Sequence, residues 1–149
     1  MTFEDFHAIH DLVTLYARLA DAGDAEGIGE HYRYCTLHMP GSVMDVPSIG
    51  VDAYVAWYKD LIRIYPDSNT PKTRRMIGTI HIEDDGPNGA KSQCCVICFQ
   101  ATDELPLQPI IAGTLYDRFE KVDDAWRIVE RREELELVGD MSRHITIAM

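Results

Sequence analysis

Asp21, which stands at the edge of an apolar helical stripe, is the residue best placed in this chain for acid/base chemistry. At about 100° per residue, Phe6, Ile9, Val13, Tyr16, Ala17 and Ala20 fall on one face of a helix, and Asp21 falls on its border. A carboxyl group drawn away from water must either find a partner or hold its proton more tightly. The second outcome is how proteins make a general acid or base that works near neutral pH. Two tyrosines have hydroxyls able to donate to a developing oxyanion: Tyr16, on the same helical face, and Tyr116, on an expected strand. The competing role for each is ring packing with a locally satisfied hydroxyl.

Other groupings point to less. Glu4, His7 and Asp11 have helical spacing, but helix surfaces carry such triplets often and no strong metal signature is present, so no metal is expected. Cys95 and Cys98 sit on one expected strand and point to opposite faces, which makes this Cys-x-x-Cys a poor metal or redox motif; reduced, packed cysteines are expected. There is no Gly-rich phosphate loop followed by lysine, no nucleophile elbow and no dinucleotide fingerprint, so no cofactor is implied. The run from Glu130 to Glu134 puts charge on both faces of the last strand, and a solvated or subunit-facing sheet surface accounts for it.

The elements that must position these residues follow from pattern and punctuation. Thr2 can cap a helix over 4–21 that Gly23 ends, and Asp24 can cap a weaker helix over 25–34. A short hairpin is expected over 35–46 around Pro40-Gly41. A third helix starts after Gly50, with Tyr54, Trp57, Tyr58, Leu61, Ile62 and Tyr65 at helical spacing, and Pro66 closes it. Strands are predicted over 75–83, 92–101, 110–121 and 126–137, joined as an antiparallel meander. Helices first and strands afterwards is an α+β order.

The 149 residues make one expected domain, 1–149, with 46% hydrophobic and 26% charged residues. A net charge of −11 disfavours nucleic acid and anionic membrane surfaces. No uninterrupted apolar stretch is long enough to span a bilayer, and a cytoplasmic location is expected.

The order of several short motifs resembles the SnoaL-like branch of the nuclear transport factor two-like superfamily. These motifs are Ile9 to Val13 leading to Tyr16, Asp21-Ala22-Gly23-Asp24, Gly50, Thr73-Arg74-Arg75-Met76-Ile77-Gly78, Gly113 to Asp117, Trp126 to Arg131, and Gly139 to His144. The resemblance implies a cone of curved antiparallel or mixed sheet, wrapped by N-terminal helices around a pocket for a small hydrophobic or aromatic molecule. It also implies a homodimer. In dehydratase-like members, an aspartate matching Asp21 works with a strand histidine, and here Arg75 holds that histidine's position.

Arginine stays protonated, so Arg75 would bind a carboxylate or enolate oxygen, or would simply pair with Asp21. Thr79 and His81 are expected on the face of Arg75, lining the same cavity, and Arg74 is expected to face away. Ketosteroid isomerases resemble the first helix and turn, but their base, an aspartate before a proline, is matched by Met39, which leaves the neighbouring His38 as a substitute. The small subunits of aromatic-ring dioxygenases share the Thr73-Arg74-Arg75 and Trp126-Arg127-Ile128 motifs. Together these imply a cofactor-independent dehydratase, isomerase or cyclase, with a non-catalytic binding or assembly subunit as the alternative.

Overall fold

The computed structural model describes residues 1–39 and 42–147, with the backbone alone over 42–46. Helix α1 (Phe3–Ala22) starts at a capping box in which the Thr2 side chain accepts from the Asp5 backbone and the Asp5 side chain accepts in return, and it ends at left-handed Gly23. Asp24 caps the short α2 (Ala25–His31) through the Gly27 N–H. Strands β1 (Thr36–Met39) and β2 (Ser42–Asp45) form the expected hairpin; its Pro40-Gly41 turn lies outside the described residues. The short α3 (Val46–Ile49) leads into α4 (Val51–Leu61).

The third expected helix is therefore shorter than its apolar spacing predicts. At Ile62 the chain turns extended and bridges Ile145, while the C-terminal segment claims the neighbouring backbone through Arg63 N–H to His144 O and Thr146 N–H to Leu61 O. A distant segment outcompetes local periodicity there.

Four long strands follow: β3 (Thr73–Asp84), β4 (Gly89–Gln100), β5 (Gln108–Val122) and β6 (Ala125–Val138). They form the antiparallel meander, and β1 adds to β6 in parallel, giving a six-stranded mixed sheet in the order β2-β1-β6-β5-β4-β3. The Asp123-Asp124 turn between β5 and β6 has positive φ at both residues, the two-residue geometry whose twist matches the strands.

Helix α1 shows how strongly the sheet curves. At its start, Asp5 accepts from Trp126 Nε1 (2.8 Å) and pairs with Lys121 (2.8 Å) on the β5–β6 hairpin. At its end, Asp21 binds Thr73 and Arg75 on β3. The core lies between α1, α2, α4 and the sheet and includes Ile9, Val13, Ile28, Tyr32, Leu115, Phe119 and Ile128. Phe6, expected on the buried stripe, is 43% exposed. Among the described residues, no helix is long and apolar enough to cross a membrane.

Three of the bulges matter for function. On β3 the pairing shifts between Gly78 and His81, with Thr79 at φ 48°. On β6 it shifts around Val129, because Phe119 faces Ile128 while Arg118 faces Glu130. A third shift sits at Gly113, where an added Cβ would collide with the Glu134 carbonyl. Each extra residue reverses which side chains point inward.

The bulge around Val129 turns Arg131 into the core, where no water reaches it. Its Nε and Nη2 each donate to Asp117 at 2.7 Å, and Nη1 donates to the Tyr32 hydroxyl at 2.9 Å. This corrects the expectation that the charges of β6 are all solvated or subunit-facing. Asp117→Leu, which strands a buried cation, is expected to lower stability by roughly 3–5 kcal/mol in chemical denaturation, and adding Arg131→Met is expected to restore most of the loss.

Candidate functional site

A cavity of about 230 Å³ lies between the sheet, α1, the end of α4 and the C-terminal segment. Its wall is mostly apolar, with Met39, Leu61, Val96, Leu115, Leu135 and Met141 among the lining residues. The hydrogen-bonding groups of that wall come from Tyr16, Arg75, Glu133 and His144, with the thiol of Cys98 beside them. Tyr16 and Glu133 are partly buried, and both line this void.

Asp21 stands behind Arg75 and does not line the cavity. Its Oδ1 accepts from Thr73 Oγ1 (3.0 Å) and Arg75 Nη1 (2.9 Å), and its Oδ2 accepts from the Arg75 backbone N–H (2.8 Å). Three donors fix the carboxylate and leave it to orient the guanidinium. Arg75 Nη1 also reaches Thr73 Oγ1 (3.0 Å), and Nη2 lies 3.3 Å from His144 Nε2. Of its five N–H groups, the one on Nε and one on Nη2 have no partner among the described residues. The cation also lies over the Tyr16 ring, 5.6 Å from its centre.

His144 is 4% exposed, and burial together with the Arg75 cation lowers its pKa to about 3. Arginine can only donate, so Nε2 accepts and the ring proton sits on Nδ1, which has no partner among the described residues. The Glu133 carboxyl has no hydrogen bond or salt bridge to any described residue. Burial raises its pKa, against the pull of Arg131 and then Arg75. Burial also raises the pKa of the Tyr16 phenol, so it remains a hydrogen-bond donor.

The SnoaL-like domain family matches residues 1–132. The chain belongs to that family. No curated protein matches it. Among solved structures, a protein of unknown function from Mycobacterium tuberculosis is 20% identical, with a TM-score of 0.70 over 91% of this chain and 74% of that one. A scytalone dehydratase-like protein from Novosphingobium aromaticivorans is 20% identical, with a TM-score of 0.69 over 92% and 87%. A beta-subunit-like protein of an aromatic-ring-hydroxylating dioxygenase from the same organism is 18% identical, with a TM-score of 0.69 over 89% of each chain. Likeness at this level of identity carries the SnoaL-like fold and not an activity.

Of the residues singled out in the sequence, the fold brings Tyr16 and Arg75 to the cavity and seats Asp21 directly behind them. The others lie elsewhere. The β3 bulge turns Thr79 and His81 outward, and both are exposed. Tyr116 shares an outer-face depression of about 280 Å³ with His81, and its ring is covered by Arg132 at 4.1 Å. His38 is half-buried against Glu130 (3.4 Å), while Met39, on the opposite face of β1, lines the cavity. Arg74 faces away, as strand alternation predicts. Cys95 and Cys98 face opposite sides of β4, and all four cysteines are free.

Sequence reasoning missed Glu133 and His144. His144 closes the last family motif, which was a usable signal. Glu133 gave none, because its inward turn depends on the bulge around Val129.

The His144 environment has a consequence for stability. Its folded pKa of about 3 lies below the ordinary histidine value, so the unfolded chain takes up a proton that the folded one refuses. The neutral ring's contribution is present above about pH 6.5 and is lost as pH falls toward about 3, at up to ~1.4 kcal/mol per pH unit. In urea denaturation across that window, His144→Asn is expected to show the shallower acid loss.

Proposed function

We propose that this SnoaL-like protein binds a small, flat, largely apolar molecule, one oxygen of which gains negative charge, and that it promotes cofactor-independent isomerisation, dehydration or cyclisation of that molecule. The observation that carries this reading is the pairing of Tyr16 and Arg75 in an apolar cavity, with two guanidinium N–H groups and the phenol left without hydrogen-bond partners among the described residues. In a site of low polarity such donors stabilise an enolate or phenolate oxygen far more than water does. Asp21 serves as the positioning residue that fixes Arg75 and balances its charge.

The cavity volume favours a one- or two-ring compound, since about 230 Å³ sits just below the range of roughly 300–1,000 Å³ typical of ligand pockets. The scytalone dehydratase-like neighbour agrees with a cyclic, oxygen-bearing substrate. The expected homodimer belongs to the same reading, and sedimentation velocity tests it.

A second reading, a non-catalytic assembly subunit, draws on the dioxygenase beta-subunit-like neighbour and on Leu107, just before β5, and Leu137 and Val138, at the end of β6, all of which stand exposed. Co-purification with a large iron-containing oxygenase chain would favour it.

The test of the first reading is ligand binding followed by fluorescence, with β-naphthol as an enolate mimic and naphthalene as its oxygen-free counterpart. Arg75→Met is expected to weaken β-naphthol by about tenfold or more, the size of a lost hydrogen bond to a charged group, and to leave naphthalene within about twofold. Equal weakening of both ligands would remove the oxygen contact from the proposal.

A further inference from the structure

We propose that Glu133 is the group that carries the proton in this site, taking it from a carbon next to the substrate carbonyl and delivering it to the product. The inference rests on the cavity reading above and names the catalytic residue that reading lacks. It also moves the acid/base role from Asp21 on α1 to the opposite side of the cavity.

The geometry leads there by three steps. Asp21 is committed to three donors and does not line the void, so it is not aimed at a ligand bound there. The other carboxylate near the cavity floor, Asp117, is held bidentately by Arg131 and lies wholly buried. Glu133 remains as the carboxyl group that lines the cavity and has no hydrogen bond or salt bridge to any described residue.

Its location suits the role. Arg75 enters from β3 and Glu133 from β6, three strands away in the sheet, a separation of about 14 Å on a flat surface at the usual strand spacing. The curvature of the sheet folds both onto one small void, so a bound ring would have its oxygen toward Arg75 and Tyr16 while a carbon of the same ring approaches Glu133. The charged groups that act on Glu133 are Arg131 on its own strand, Arg75 on β3 and Asp117 on β5. Burial opposes the ionised form and the two cations favour it, which leaves a carboxyl group able to accept and return a proton.

The step balances without a cofactor. The ionised Glu133 takes a proton from the carbon adjacent to the carbonyl. The C–H electron pair becomes the enolate double bond, and the carbonyl pair moves onto the oxygen held by Arg75 and Tyr16. Returning the proton to another carbon of the conjugated system gives an isomer. Delivering it to a hydroxyl on the neighbouring carbon breaks that C–O bond, releases water and leaves an unsaturated ketone.

The probe is β-tetralone, a two-ring ketone with an acidic ring carbon, and the measurement is hydrogen-deuterium exchange in heavy water followed by NMR, with buffer exchange subtracted. The protein is expected to accelerate exchange, with a rate that rises with pH through one ionisation. Glu133→Gln is expected to lower the catalysed rate by about 100-fold or more and to abolish the inflection, with β-naphthol still bound. Glu133→Asp, which draws the carboxyl back by one methylene, should lower the rate and keep the inflection, and it decides the matter by that same readout if Glu133→Gln does not fold.

Exchange by Glu133→Gln within about threefold of the parent would remove Glu133 from proton transfer and leave the cavity reading standing, because losing a true general base costs far more. Binding of β-naphthol by the parent with no exchange above buffer would have the same consequence. Failure of the parent to bind β-naphthol would overturn both.

Discussion

Arg131 is held without contact with water between the Asp117 carboxylate, the Tyr32 hydroxyl and the Val13 carbonyl, and the arrangement of the interior depends on that lock. Asp117 comes from β5, Arg131 from β6, Tyr32 from the end of α2 and Val13 from the middle of α1. A buried arginine tolerates few geometries, because each unsatisfied N–H and each misaligned charge is costly away from water. The pair therefore fixes α1 across the concave side of the sheet. It also places the Arg131 guanidinium over the Tyr16 ring, 5.4 Å from its centre, so the core lock and the cavity share one aromatic wall.

The two ends of α1 complete the constraint. Asp5 ties its first turn to the β5–β6 hairpin, and Asp21 ties its last turn to β3. The Lys121 ammonium, the Trp126 indole and the Thr2 backbone hold the Asp5 carboxyl well below the usual carboxylate range. A helix anchored at both ends across strands that are not neighbours keeps the sheet curved, and a curved sheet encloses space on one face. The C-terminal segment then covers the open end through Met141, His144, Ile145 and Ile147, in exchange for the last turn that α4 would otherwise have formed. The cavity is thus a product of how the elements are tied together and not of any one of them.

Much of the fold was legible in the chain. Thr2, Gly23 and Asp24 mark helix ends by local hydrogen bonding and by the left-handed conformation that glycine adopts freely. Alternation and turn residues located the four long strands to within a few positions, and Arg74, Cys95 and Cys98 fall on the faces that alternation assigns. The site was legible only in part. Tyr16 and Arg75 reach the cavity because no bulge intervenes between the points that fix them and the void. Thr79, His81 and Tyr116 do not reach it. On β3 the extra residue after Gly78 reverses the alternation that placed Thr79 and His81 beside Arg75.

The sequence by itself determined the order of helices and strands, the α+β class, the membership motifs and the presence of a carboxylate and an arginine near one another. The order and the class depend on short-range patterns, namely caps, periodicities and turn chemistry, whereas the nearness of Asp21 and Arg75 is what the family resemblance implied. The tertiary structure alone decided that Asp21 serves Arg75 instead of facing a substrate, that Arg131 is buried and that Glu133 points into the void. The physical reason is parity. A strand exposes alternate residues to opposite faces, and the bulge around Val129, set by pairing with a strand that also carries Gly113 and the Asp117 lock, exchanges the two faces of β6 from there to the next shift, opposite Gly113, a stretch that includes Arg131 and Glu133.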